Sequence, residues 1–344
     1  MFIVSRTNSS AAESARETAM PCLMPLCRVL MVCVLACLPA IAAAAESYPL
    51  KPIRLVVPFP PGGLSDGLAR IIGQHLAQEW GQQVMVDNRP GASTVLAAEL
   101  VAKAPADGYT LFFQDITTHG INAGLYRKLP YDSLNDFVPV AMASASPLIL
   151  SVHPSLPARS VRELTALARA RPGQIAYGSS GNGTILNLAA ETFKKLAGVD
   201  MLHVPYKGSP PAVTAAMAGE VAVVFATTAS VLPHVRSGRI RALAVTTAAR
   251  SPLMPDLPPI ADALPGYDIV LYQGMLAPGK TPREIVARLN TEVNRLLARP
   301  ASKDAWANLG AEIVIATPAE MDARFQQEVT KLAKLAVESG ARID

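Results

Sequence analysis

Strand-like and helix-like segments alternate along most of this chain, and the joints between them are short and rich in glycine, proline and serine. That alternation constrains the chain to an α/β architecture with mostly parallel strands, because each helix returns the backbone from the end of one strand to the start of the next. Ile53 to Phe59 reads as a strand; Leu68, Ile71, Ile72 and Leu76 then share one helix face, which Gly81 ends, and Val84 to Val86 resumes the sheet. The unit recurs through a helix at Ala97 to Ala102, a Pro105-Ala106-Asp107-Gly108 turn and a strand at Tyr109 to Phe113.

Near Val138 to Val152 the chain is apolar in two pieces, VPVAMAS and PLILSVH, which read as a crossing to a second domain. A capping box follows at Ser160 to Glu163, and then a second set of alternations: IAYGSS, a helix from Thr184, LHVPY, a helix from Ser209, VAVVFA and RALAVT. After the strand IVLYQGML three helices close the chain, two of them opening with Thr-Pro-x-Glu at Thr281 and Thr317, where threonine is expected to cap. Their apolar stripes (Ile285, Leu289, Val293, Leu296 and Met321, Phe325, Val329, Leu332) suit packing on the first domain's sheet. The expected division is residues 46–146 with 273–344 as domain 1 and 147–272 as domain 2, a two-domain α/β fold with two crossings at its waist and a cleft between.

The N-terminus reads as an export signal. Arg28 precedes an apolar stretch that ends in Ala43-Ala44-Ala45 before Glu46, so residues 1–45 are the expected signal peptide, with Met20 an alternative start. A lipoprotein anchor at Cys37 fits less well, because the alanine-rich cleavage site lies just downstream. All four cysteines, Cys22, Cys27, Cys33 and Cys37, fall in the removable segment, which excludes disulfides and thiolate metal sites from the mature chain. The net charge of +4 is scattered, with no basic run to track a phosphate backbone, so nucleic acid is not an expected partner. The histidines lack the mutual spacing of a metal site, and no cofactor is expected.

One local design repeats: strand, small-residue loop, helix. It stands at Phe59 to Asp66 (FPPGGLSD), at Tyr177 to Thr184 (YGSSGNGT) and at Val204 to Ser209 (VPYKGS). In open α/β sheets ligands sit beyond the carboxyl ends of strands, where helix N-termini offer unpaired N–H groups and partial positive charge. A single such loop is ordinarily just a tight turn, but three of them, with Lys207 as the one cation they contain, point to a shared anion site.

Two other patterns are weaker. Gly274 to Thr281 matches the spelling of a phosphate loop, yet Pro278 removes a needed N–H and Gly274 sits within a strand pattern. Gly178-Ser179-Ser180-Gly181 partly matches a nucleophile elbow, which makes a secreted serine hydrolase using Ser180 the alternative function. Asn182 stands where that motif needs glycine, and neither His119 nor His203 has an evident carboxylate to orient it.

The blocks VPFPPGGLSD, DNRPGA, APADGYTL, LPYD, GSSGNGT, HVPYKGS and LAPGKTP, in order over nearly all of residues 48–344, resemble the Bug receptors, the extracytoplasmic solute-binding components of tripartite tricarboxylate transporters. The resemblance implies a periplasmic, monomeric, two-domain Venus-flytrap receptor without catalytic activity. It would hold a small organic carboxylate through main-chain groups and bridging waters, for delivery to membrane permease subunits or a sensor. Carried onto this chain, the ligand-binding residues are Phe59, Gly62, Gly63 and Ser65, with Asp66 expected to order the helix start rather than meet the anion. Ser179, Ser180, Gly181 and Thr184 form the facing loop, and His119 and Tyr206 stand at the rim. The chain departs from the family pattern at Asn187, where many relatives have histidine, and at Ala226, where many have aspartate. The loss of that acidic group favours a less polar ligand.

Overall fold

The computed structural model describes residues 48–338, so the expected signal peptide lies outside the described residues. The described residues form ten strands: β1 (Ile53–Val57), β2 (Val84–Asn88), β3 (Thr110–Asp115), β4 (Phe137–Val152), β5 (Ala176–Ser179), β6 (Leu202–Pro205), β7 (Val223–Thr227), β8 (Arg241–Val245), β9 (Val270–Pro278) and β10 (Glu312–Ile313). The α-helices are α1 (Leu64–Trp80), α2 (Val95–Ala102), α3 (Ile116–Leu125), α4 (Val161–Ala170), α5 (Ile185–Ala197), α6 (Ser209–Ala218), α7 (Thr228–Arg236), α8 (Arg283–Leu297), α9 (Pro300–Asn308) and α10 (Pro318–Glu338).

The two apolar pieces expected around Val138 to Val152 are one strand of 16 residues. Its first part, to Pro147, pairs with β9; from Leu148 onward it pairs with β7 and β8. Proline lacks the N–H a ladder needs, yet β4 accommodates Pro139 beside a register shift against β9 and Pro147 where its partners change. The hydrogen-bonded order is β2-β1-β3-β9-β4-β7-β5-β6, with β8 and β10 also on β4.

The sheet is mixed rather than mostly parallel. Strands β1, β2 and β3 pair in parallel, as do β5, β6 and β7, while every pair that includes β4 or β9 is antiparallel. The physical reason is that β4 and β9 are the connections themselves. Each runs from one half of the sheet towards the other and so opposes the strands it joins.

Each half has its own apolar cluster. In the first, Phe112, Phe137, Met142 and Leu276 pack with Met321, Phe325 and Val329 of α10; in the second, Ala212, Val213 and Ala216 of α6 pack with Val224, Ala226, Val231 and Val245. The stripe on α10 is buried as its spacing predicts, including Leu332. The two Thr-Pro-x-Glu openings differ. Thr317 Oγ1 accepts from the Glu320 N–H while Glu320 accepts from the Thr317 N–H, a reciprocal box. Thr281 instead donates its hydroxyl to the Pro278 carbonyl, and the cap of α8 is Pro282.

Helix α3 approaches α10 through glycine. A Cβ on Gly124 would stand 2.1 Å from the Ala333 carbonyl oxygen, and one on Gly120 would stand 3.0 Å from the Val329 Cα. In an uncrowded helix, alanine for glycine is favourable by up to ~1 kcal/mol. Here the reverse is expected: Gly124→Ala should destabilise by ~1–3 kcal/mol through overpacking, read as a lowered midpoint in thermal or denaturant unfolding.

Candidate ligand-binding cleft

Five helices begin around one narrow cavity, whose volume open to the centres of water-sized molecules is about 20 Å³. Phe59, Gly63, Leu64 and Ser65 enter it from the β1-to-α1 joint, Asp115 from the end of β3, and Ser180 and Leu186 from the β5-to-α5 joint. Ser209 and Pro210 at the start of α6, Thr227 at the end of β7, and Leu271 and Gln273 on β9 complete the lining. Among the described residues, no lysine, arginine or histidine lines it.

The helix starts are not equivalent. Asp115 caps α3 and Thr184 caps α5 with their side chains, whereas α1, α6 and α7 have no side-chain cap. An uncapped start leaves N–H groups and the positive end of the peptide dipoles for another acceptor. In α6 the residues after Ser209 are Pro210 and Pro211, which carry no N–H, so α1 and α7 are the richer donors.

The first loop is held from behind by Asp66. Its carboxylate accepts from the Gly62 N–H at 3.0 Å, from Asn88 Nδ2 at 3.0 Å and from Arg70 Nε at 3.1 Å, while Asn88 Nδ2 also donates to the Phe59 carbonyl at 2.9 Å. Burial opposes the charge, but the bonds from Arg70, Gly62 and Asn88 and the Arg70 charge outweigh it and hold the pKa below the ordinary carboxylate value. Gly62 takes a φ of +86°, which favours glycine, and Gly63 is the helix cap at an ordinary extended φ of −88°. Gly63 is therefore the cap, and Asp66 orders the helix start from within the first turn. Ser65 lies inside the first turn, and its hydroxyl donates to Gln273 Oε1 at 3.0 Å.

The two halves of the sheet touch around the cavity. The Ile185 N–H at the start of α5 donates to Thr118 Oγ1 at 3.1 Å, and the Ser93 hydroxyl donates to the Asn182 carbonyl. Ser93 lies in a run, Ala92 to Thr94, whose three φ angles are all positive; Asn122 Nδ2 ties this run to α3 by donating to the Ser93 carbonyl. Gly208 faces Pro60 so closely that a Cβ there would lie 2.6 Å from the proline Cδ.

A family model described as tripartite tricarboxylate transporter family receptor matches residues 68–340. The chain belongs to this family. Among curated relatives of the receptor is Protein BugT of Bordetella pertussis, 36% identical over 306 residues that cover 88% of this chain and 94% of the relative. Among solved structures, R. palustris Rpa4515 with adipate superposes with a TM-score of 0.83 at 39% identity, covering 86% of this chain and all of that one. MatC from Rhodopseudomonas palustris with bound malate superposes at 0.79 and 30% identity, covering 84% of this chain and all of that one.

Of the residues expected to meet ligand in this receptor, Phe59, Gly63, Ser65 and Ser180 line the cavity. Ser179, Gly181 and Thr184 shape the facing loop: the Gly181 N–H donates to Ser179 Oγ at 3.2 Å, and Thr184 Oγ1 donates to the Gly181 carbonyl at 2.9 Å. Asn187 holds the same loop, accepting from the Gly183 N–H at 3.1 Å and donating to the Tyr177 hydroxyl at 2.9 Å. Ala226 points into the apolar cluster of the second half, while Thr227 after it reaches the cavity.

Two rim residues are elsewhere. His119 is fully buried, stacked on Tyr131 and edge-on to Phe137, with Nε2 bonded to the Ser133 carbonyl at 2.9 Å; burial drives its pKa down to about 4. Tyr206 is half-buried among the apolar residues behind α6, and Glu220 receives its hydroxyl. Both stand near loops in sequence, but apolar burial claims their rings.

The hydrolase geometry does not form at Ser180, whose hydroxyl donates to Thr184 Oγ1 at 2.8 Å. The serine that meets a histidine is Ser179, 2.7 Å from His203 Nε2. Asn187 Nδ2 donates to His203 Nδ1, leaving the ring proton on Nε2, and the Ser179 hydroxyl donates to the Gly181 carbonyl. That arrangement presents the serine with a donor where a general base is needed.

Leu64 and Ser209 belong to the loops expected at the site, whereas Asp115, Leu186, Pro210, Thr227, Leu271 and Gln273 line the cavity from outside those loops. Asp115 has a local signal, a strand ending in Asp followed by Thr117 and Thr118, which is the composition of a helix cap. Gln273 has none, because it arrives from a strand distant in sequence.

Asp66→Asn should cost ~1–2 kcal/mol by weakening charge-assisted bonds to the first loop. Because the folded pKa is depressed, the wild-type advantage is complete above the unfolded carboxylate pKa and drains as pH falls through the folded one. Stability curves of the two proteins should therefore converge in acid.

Proposed function

We propose that this chain is an exported, periplasmic receptor that captures a small organic carboxylate in the cleft and presents it to membrane permease subunits or to a sensor. The observation that carries this reading is the meeting of uncapped helix starts α1 and α7 at a cavity without cationic side chains. Such a site suits an anion recognised by backbone donors and bridging waters. A partly buried helix start gives an anion up to ~2 kcal/mol, and each hydrogen bond to a charged group ~1.5–3. Two helix starts and a few such bonds offset a large part of the cost of immobilising an anion. Relatives solved with adipate and with malate are consistent with this ligand class.

The lobes that close on the ligand are residues 46–146 with 273–344, and 147–272. The change of partners along β4 between Pro147 and Leu148 supports the first boundary. Ser93, Thr118 and Pro60 on one side, with Asn182, Ile185 and Gly208 on the other, are the closing contacts.

Purified protein screened against organic acids should show a thermal shift, with a binder at a hundredfold excess over its dissociation constant stabilising by ~2.7 kcal/mol. Gly63→Val should keep its fold, since the φ of −88° suits valine and the nearest atom to an added Cβ is Pro210 at 3.8 Å. Its branched side chain would occupy the approach to the first loop, so the shift should vanish. No shift with any anion in the wild type, or equal affinity in Gly63→Val, would count against the reading.

A further inference from the structure

Asp115 is the one ionisable side chain among those lining the cavity. Its two oxygens carry unequal loads. Oδ1 accepts from the Thr117 N–H at 2.8 Å, from the Thr118 N–H at 3.1 Å and from the Thr117 hydroxyl, whereas Oδ2 accepts from the Thr118 hydroxyl alone. A carboxylate has about four acceptor positions, so Oδ2 retains capacity for a further donor.

All of these donors are neutral, and no lining cation cancels the charge. Burial accordingly raises the pKa of Asp115 to about 6, against the lowering effect of the Thr117 and Thr118 bonds. The cap alone does not require this charge, because asparagine or serine ends a helix as well as aspartate does. The group also sits where the halves of the sheet meet: the Thr118 hydroxyl that donates to Oδ2 accepts the Ile185 N–H from the start of α5. A ligand closed into the cavity is therefore enclosed with a fixed negative charge that has little solvent to screen it.

We propose that Asp115 sets the specificity of the cleft, favouring carboxylates whose far end donates a hydrogen bond and disfavouring those whose far end is a second carboxylate. This inference rests on the carboxylate-receptor reading above. A terminal hydroxyl supplies Oδ2 with the donor it lacks, in a charge-assisted bond. A terminal carboxylate has no donor to give and meets a like charge across a short, poorly screened distance.

Calorimetric titration above pH 7.5, where Asp115 is ionised, tests this with matched pairs: adipate against 6-hydroxyhexanoate and succinate against 4-hydroxybutyrate. Wild-type protein should bind the hydroxy acid of the better-fitting pair at least ~10-fold more tightly than the diacid, and Asp115→Asn should shrink or reverse that ratio by ~10-fold. Asparagine keeps a capping oxygen, and a merely structural cap would change both affinities together rather than their ratio. An unchanged ratio in a folded Asp115→Asn protein, or a wild-type preference for the diacid, would overturn the specificity role while leaving the receptor reading intact. Failure of the wild type to bind any of the four acids, or any acid of the wider screen, would overturn both.

Discussion

The ladder that β4 makes along its length is the constraint on which the remaining architecture rests. One strand satisfies its backbone against β9 over its first part and against β7 and β8 over its last. Because buried N–H and C=O groups must be paired, β4 cannot leave either half of the sheet without exposing or orphaning those groups. Each half consequently keeps its own parallel strands and its own apolar cluster, and the joints at the carboxyl ends of β1, β3, β5 and β7 are brought to one place.

At that place the chain divides its helix starts into two kinds. Asp115 and Thr184 cap α3 and α5 with their own side chains, while α1 and α7 begin at the cavity without a side-chain cap. Two of the loops are braced from behind: Asp66, Arg70 and Asn88 fix the one before α1, and Asn187 fixes the one before α5. Charged groups thus do the bracing at a distance, and neutral groups line the space, Asp115 excepted.

Much of the fold was legible because it is written in local patterns. Alternating segments, the Gly81 stop, the reciprocal box at Thr317 and Glu320, and the stripe of Met321, Phe325, Val329 and Leu332 all take the form their spacing predicts. What was not legible depends on partners far away in the chain. The continuity of β4 through Pro139 and Pro147 is decided by register with β9 and β7. In the cleft, Phe59, Gly63, Ser65 and Ser180 announced themselves through loop composition, whereas Gln273 and Leu271 arrive from β9 with no local mark. His119 was misplaced for the same reason: its neighbours Tyr131, Phe137 and Phe325 come from three other segments, and together they make a ring-lined interior site.

The uncapped starts of α1 and α7 have one more consequence. A donor that belongs to the peptide bond does not titrate between acid and alkaline extremes, and no substitution removes it except proline. Point mutations in the lining can therefore reshape what the cavity tolerates at one end while the donors at the helix starts persist. On the carboxylate-receptor reading proposed above, a gene drifting under such conditions would exchange its cargo while the peptide donors stayed in place.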